Sequence, residues 1–300
     1  MNQKKSNRVV VDGWIALDKP TGMTSTQAVS RLKRIYNAKK AGHAGTLDPL
    51  ATGLLPVAFG EATKTVPFVQ DGEKAYRFTV TWGSETDTDD SEGRTTHESA
   101  ARPSPAAIEA LLPQFIGDIL QTPPQFSAIK IAGERAYDLA RDGEQVALKP
   151  RAVTIYALEI VETSENETQF FMACGKGAYV RAIARDLGRL LGCYGHVTAL
   201  RRTRVGPFTE EDSYTLDEIE NGNMAAVALL PVEAGLTELP CVIVDRDTAS
   251  RLRRGGSVIL RGRDAPAGGV AYAACGGVPV AFGEIVEGAL TPSRVFNLPL

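Results

Sequence analysis

Sulfur, imidazole and long apolar runs are scarce in this chain of 300 residues. Its four cysteines, Cys174, Cys193, Cys241 and Cys275, are widely separated and form no Cys-x-x-Cys pair, which speaks against a zinc ribbon and a dense disulfide framework. Only three histidines occur, His43, His97 and His196, and no two stand at ligand spacing, so no metal site is expected. No stretch reaches the ~18 uninterrupted apolar residues that a bilayer span requires. Lys4, Lys5 and Arg8 near the start are followed by no apolar run, and a cytoplasmic protein without a membrane anchor is expected. An excess of basic charge is missing too, for the net charge is -3.

An average hides patches. Basic residues cluster at Arg31, Lys33, Arg34, Lys39 and Lys40, at Arg201, Arg202 and Arg204, and between Arg246 and Arg263, while acids gather at Glu85 to Glu92 and Glu210 to Glu220. Each cluster alone is read most simply as a solvated face, but charge segregated in this way can also serve a phosphate backbone. With 43% hydrophobic and 23% charged residues, the chain has the composition of a globular protein with room for one large or two unequal domains.

The pattern of elements is mixed. Gly13 to Leu17 reads as a strand entering a turn at Asp18 to Gly22, and Thr24 or Ser25 can cap a helix carrying Val29, Leu32 and Ile35 or Tyr36. Residues 74 to 82 alternate, with Tyr76, Phe78, Val80 and Trp82 on one side, which predicts a half-buried strand. Residues 83 to 99 read as a polar, acidic loop; calcium is rejected there because Glu92 stands where the essential glycine belongs and a strand precedes the loop. Ser104-Pro105 opens a helix running through Phe115. Strands are expected at 153 to 161 and 168 to 174, and a helix from 179 to 191. After Leu239-Pro240 the texture becomes that of a compact β-rich unit with one basic helix at 246 to 254 and strands at 257 to 260, 270 to 274 and 279 to 286. The expected class is α+β, a mixed, largely antiparallel sheet with flanking helices, followed by that smaller unit.

Within this frame Asp48 stands out. It lies in Gly42-His43-Ala44-Gly45-Thr46-Leu47-Asp48-Pro49-Leu50-Ala51-Thr52-Gly53, where three glycines permit close approaches and Pro49 biases Asp48 toward an extended backbone. A tight Asp-Pro surface turn accounts for this segment alone as well as an aimed carboxylate does. Between Pro123 and Arg151 the residues Phe126, Ile129, Ile131 and Tyr137 interleave with Lys130, Arg135, Arg141, Lys149 and Arg151, a mixture able to stack on bases and hold phosphates.

Taken together with Leu17 to Gly22, Ser127 to Lys130 with Arg135 to Tyr137, and Lys176 to Arg181 through His196 to Arg204, the Asp48 loop resembles the bacterial tRNA pseudouridine synthases of the TruB family. The likeness runs in compatible order from about residue 13 to 208; Gly175 and Ala178 depart from the family, which more often has Ser and Thr there. The resemblance implies isomerisation of uridine 55 in the tRNA T-loop from an N- to a C-glycoside, with no cofactor because nothing is oxidised or consumed. It implies Asp48 as the catalytic carboxylate, attacking C1′ or C6, with Arg181 as its partner. Tyr76 would stack on the base, with proton acceptance from C5 as a weaker second role, Tyr179 and Leu200 would line the pocket, and His43 would fill the gap left by the everted base. Lys19, Lys64, Lys130 and Arg202 would serve phosphates or pocket structure. Residues 1 to 238 would form the catalytic domain, with 123 to 151 as an RNA clamp, and 239 to 300 a PUA-like RNA-binding domain. The expected partner is the T-arm of tRNA, bound by a monomer without guide RNA.

Two further readings fall away. Asp18 to Thr24 superficially matches a phosphoaspartate motif, but Pro20 stands where a second Asp is needed. A purely RNA-binding chaperone leaves the confined Asp48 unused.

Overall fold

The computed structural model describes residues 8–126, 148–222, 224–260 and 266–300, with the backbone of two short strands at 130–131 and 134–135. Most of the 123 to 151 segment, and the side chain of Lys130, lie outside the described residues.

Strand β1 (Gly13–Lys19) is the apolar run, β2 (Ala41–His43) and β3 (Thr52–Phe59) flank the Asp48 loop, and β4 (Lys74–Trp82) is the alternating strand. A separate hairpin follows, β5 (Ser84–Thr86) with β6 (Thr95–Glu98); β7 (Gly117–Gln121) lies at a sheet edge, and β8 (Lys130–Ile131) pairs with β9 (Glu134–Arg135). The main sheet is completed by β10 (Arg151–Thr163), β11 (Glu167–Cys174), β12 (Gly195–Val205), β13 (Phe208–Thr209) and β14 (Tyr214–Thr215). Its ten strands run β14-β1-β3-β12-β4-β11-β10-β7, with β2 on β3 and β13 on β12. Only the β1–β14 and β3–β12 pairs are parallel, so the sheet is mixed and largely antiparallel as expected.

Burial explains why these residues make these strands. In β1, Ile15 and Leu17 enter one core while Trp14 and Ala16 enter another, so both faces are covered and the run is continuously apolar rather than alternating. Strand β4 has one buried face, made by Phe78, Val80 and Trp82. That face packs on the helices Ser25–Ile35, Pro105–Leu111 and Val180–Leu190 through Leu32, Ile108, Ile183 and Leu187. Thr24 caps the first of these helices through a capping box with Gln27.

A second sheet of five strands, β15 (Cys241–Ile243), β16 (Val258–Ile259), β17 (Gly269–Cys275), β18 (Val278–Val286) and β19 (Ala289–Val295), runs β15-β17-β18-β19-β16 beside the helix Arg246–Arg253. It has its own small core around Leu252, Val280 and Leu290. Phe282 and Phe296 turn away from it and join Trp14 and Phe208 in a cluster shared with the main sheet. Among the described residues, no helix is long and apolar enough to cross a membrane.

Several strands escape the sequence pattern, β3, β7, β12, β15 and β19 among them. Pro56 sits inside β3, register shifts at Val197/Ala199 and Arg202/Arg204 break the alternation of β12, β7 and β15 are edge strands, and β19 carries Pro292 and only one fully buried residue, Leu290. The acidic 83 to 99 segment is not a solvated loop. It is the β5–β6 hairpin, and Glu85, Asp89 and Asp90 in it are buried.

Candidate active site

The segment between β2 and β3 is fastened from three directions. From β1, the buried ammonium of Lys19 donates to the carbonyl oxygens of Met23 (2.7 Å), Pro20 (2.8 Å) and Pro49 (3.4 Å). From the first helix, the Ser25 hydroxyl donates to the Leu47 carbonyl and accepts from the Leu47 N–H, at 3.0 and 2.9 Å. From β12, the guanidinium of Arg202, 2% exposed, donates to the carbonyls of Leu54, Gly45 and Thr46 at 2.8, 3.1 and 3.3 Å. Asp48 thus projects from a backbone with its neighbours held on both sides.

The glycines do not contribute equally. Gly45 has φ +103°, a left-handed conformation that disfavours a side chain. At Gly53, a Cβ would come 2.3 Å from the carbonyl oxygen of Arg202. Gly42 has open space around its Cβ position and lies in regular strand, so the confinement expected of it belongs to Gly53.

Asp48, Tyr76, Tyr179, Arg181, Leu200 and Arg202 line one cavity of about 420 Å³. Asp48 Oδ2 lies 2.9 Å from Nη2 of Arg181. The Arg181 side chain is 6% exposed and that of Asp48 38%, so the arginine is sealed while the carboxylate faces the cavity. Arg181 also donates to the carbonyls of Thr88 (2.9 Å) and Phe126 (3.0 Å), and its Nη1 lies 3.4 Å from Asp90. A guanidinium fixed in this way aims the carboxylate beside it.

Tyr76 is opposite Arg202 across the β4–β12 pair. Burial pushes its phenol up to about 12, against the opposing influence of Arg202, so it is protonated at neutral pH. That disfavours a phenolate base and leaves an aromatic face for the cavity. Tyr179 stands at the N-cap position of the Val180–Leu190 helix, and its peptide is clasped by Gln121, which donates to its carbonyl (3.1 Å) and accepts from its N–H (2.8 Å).

Other sequence-predicted residues stand outside the cavity lining. Lys19 is behind the loop, its ammonium lowered to about 8 by burial, with Asp48 opposing the shift. His43 is half-buried on β2; burial lowers its pKa, with Arg202 adding to the effect, and Nδ1 is buried without a hydrogen-bond partner. Lys64 does not reach the cavity. Its ammonium pairs with Glu61 (2.6 Å) and donates to the Val295 carbonyl (2.9 Å), which ties the main sheet to the C-terminal one.

Several site residues are invisible in the motifs. Lys74 lines the cavity and shares the Tyr76 face of β4; its buried ammonium donates to the carbonyls of Gly72 (2.6 Å) and Gln70. Ser25 and Gln121 act through backbone contacts that residue type alone does not announce. Asp90 is reached by a turn in the β5–β6 hairpin, and the signal for it was the concentration of acids facing a helix with arginines at every fourth position, 181, 185 and 189.

Comparison with known proteins gives consistent matches. Residues 33–180 match the N-terminal domain of the TruB family pseudouridylate synthases, and residues 181–237 match the tRNA pseudouridylate synthase B C-terminal domain. A tRNA pseudouridine synthase B of Bradyrhizobium diazoefficiens is 58% identical, covering 99% of this chain and 89% of the relative. One of Rhizobium meliloti is 54% identical, covering 95% and 96%. Among solved structures, a chain in a Cbf5-Nop10-Gar1 complex superposes with a TM-score of 0.72 at 26% identity, covering 95% of this chain and 84% of that one.

Proposed function

The chain belongs to the TruB family of pseudouridylate synthases, and from that premise we propose that it converts uridine 55 in the T-loop of tRNA to pseudouridine, with Asp48 as the acting carboxylate. The observation that carries the reading is the cavity-facing Asp48 held 2.9 Å from a sealed arginine. In the reaction the C1′–N1 bond breaks, a C1′–C5 bond forms, C5 loses a proton and N1 gains one. Substrate and product are isomers, so no redox or group-donating cofactor is called for.

Each neighbour has a part. Asp48 attacks C1′ or C6, and Arg181 keeps it aimed. Tyr76 stacks on the everted base, while Tyr179 and Leu200 supply the walls against which the free uracil turns. Lys19 and Arg202 hold the loop that bears Asp48, and His43 beside it fills the space the base vacates. Lys130 and the surrounding 123 to 151 segment grip the RNA loop. Residues 1 to 238 act as the catalytic domain and 239 to 300 as a PUA-like unit binding tRNA farther along, in a cytoplasmic monomer that works without guide RNA. Lys64 acts structurally, by joining these two parts.

The test is release of tritium from tRNA carrying C5-tritiated uridine. Asp48→Asn is expected to abolish release while tRNA binding persists. Release by that variant at a rate near the parent's overturns the assignment of Asp48.

A further inference from the structure

Arg185 stands one helical turn beyond Arg181 and is 7% exposed. Its guanidinium makes contacts in three directions. Nη1 meets Asp89 at 3.0 Å, Nη2 donates to the Thr122 carbonyl at 2.8 Å, and Nε meets Asp186 at 2.8 Å. The first two partners each adjoin, along the chain, residues that hold the site. Asp89 lies between Thr88, whose carbonyl receives Arg181, and Asp90, whose carboxylate faces it. Thr122 follows Gln121, which clasps the Tyr179 peptide.

The backbone at Asp89 supports a holding role. Its φ of +61° is left-handed, a conformation uncommon outside glycine, though Asp is among the residues that adopt it most readily. That turn directs the Thr88 carbonyl and the Asp90 carboxylate together at Arg181. The ion pair to Arg185 secures the side chain at the bend, and the Val197 N–H donates to the Asp89 carbonyl at 3.1 Å.

We propose that Arg185, paired with Asp89, is a positioning residue for the isomerisation, holding the Thr88–Asp90 turn behind Arg181 and the Gln121–Thr122 segment behind Tyr179 in fixed relation. The inference rests on the reading of Asp48 and Arg181 as the reacting site. Neither Arg185 nor Asp89 touches the cavity; both act through the residues that do. The charged groups around Asp89 are Arg185, Arg181 and Arg189 from the helix, with Glu85 from its own hairpin. Burial raises the Asp89 carboxyl to about 6, with Arg185 opposing the shift, so mild acid neutralises it and loosens the turn.

The experiment compares single-turnover rates of the parent, Asp89→Asn and Asp48→Asn across pH, with folding checked by circular dichroism and tRNA affinity by filter binding. Asp89→Asn is expected to lower the maximal rate by about tenfold at unchanged tRNA affinity. It is also expected to remove the rate change centred near pH 6, so that parent and variant converge in acid. A merely structural role would alter melting temperature without moving that profile. A folded Asp89→Asn with the parent's rate and acid profile overturns the inference. Should that variant fail to fold, Arg185→Lys decides, because a single ammonium replaces the guanidinium fork: a defect in rate at unchanged affinity supports the inference and a parental rate overturns it. An active Asp48→Asn would instead overturn the underlying site assignment, whatever Asp89→Asn does.

Discussion

The carboxylate of Asp48 and the guanidinium of Arg181 meet at 2.9 Å across a steep change of environment, 38% exposed on one side and 6% on the other. Arg181 is therefore the fixed member and Asp48 the one presented to a ligand. Arg181→Met would leave Asp90 buried beside an apolar side chain and Asp48 without its partner. Its expected effects are a loss of about 3 kcal/mol in stability and a fall of roughly 100-fold in rate, read by denaturant unfolding and by tritium release. Arg181→Lys keeps charge without the fork and should fall between the variant and the parent.

The two glycines at the ends of the Asp48 segment give a paired comparison. Gly53→Ala drives a Cβ to 2.3 Å from the Arg202 carbonyl at a left-handed position, and should cost about 2 kcal/mol or more together with most of the activity. Gly42→Ala meets open space and should be close to neutral. Equal melting temperatures for the two variants would contradict this account.

Tyr76 separates stacking from base catalysis. With its phenol pushed up to about 12, removing the hydroxyl should matter little, so Tyr76→Phe is expected to keep most of the rate. Tyr76→Ala removes the ring and with it about 1–3 kcal/mol of stacking, a loss of roughly ten- to hundredfold. A dead Tyr76→Phe would restore the phenol as a proton carrier.

Gln121 is 2% exposed and makes both of its described bonds to the Tyr179 peptide. Gln121→Ala should cost about 2 kcal/mol by leaving that peptide N–H and carbonyl without these partners. The effect on catalysis is expected in the rate of the chemical step rather than in tRNA affinity. Single-turnover kinetics beside equilibrium binding distinguishes the two.

Stability and activity should respond to acid in opposite senses. Asp89 has its folded pKa raised from 3.8 to about 6, so its contribution to stability is fully present below about pH 3.8 and is lost as pH rises through about 6. Lowering pH through that value should therefore raise the melting temperature of the parent relative to Asp89→Asn, even as the rate declines. Lys19, lowered from 10.5 to about 8, has the opposite sign: its contribution is present above about 10.5 and lost as pH falls through about 8. Melting curves over this range, on parent and Asp89→Asn, provide the check; a relative melting temperature that falls in acid would refute it.

What the sequence reveals and what it conceals divide along the distance over which residues act. Asp48, Tyr179 and Arg181 are legible because each stands in a short local motif, and the β4 strand because one face alone is buried. Strand β12 is concealed by two register shifts and a run of arginines that reads as solvated charge, although Arg202 in it is buried and holds the Asp48 loop. The acids of the β5–β6 hairpin are misread for a related reason. Their partners lie far along the chain, 96 residues in the case of Asp89 and Arg185, and an acidic run without its partners resembles a solvent-facing loop. Gln121 and Ser25 act on peptide groups, which every residue possesses, so their sequence neighbours give no sign of the contact.

The junction between the two sheets bears on whether the C-terminal part could ever be moved elsewhere. Phe282 and Phe296 complete the apolar cluster around Trp14, and Glu61 accepts from both Lys64 and the Asn297 N–H at 2.6 and 2.7 Å. A transplant of residues 239 to 300 onto another protein would arrive with two bare aromatic rings, and the remainder would keep an exposed tryptophan pocket and a carboxylate deprived of its backbone donor. The tail is less a detachable cartridge than one half of a mortise joint, and swapping it between relatives demands that both halves of the joint travel together.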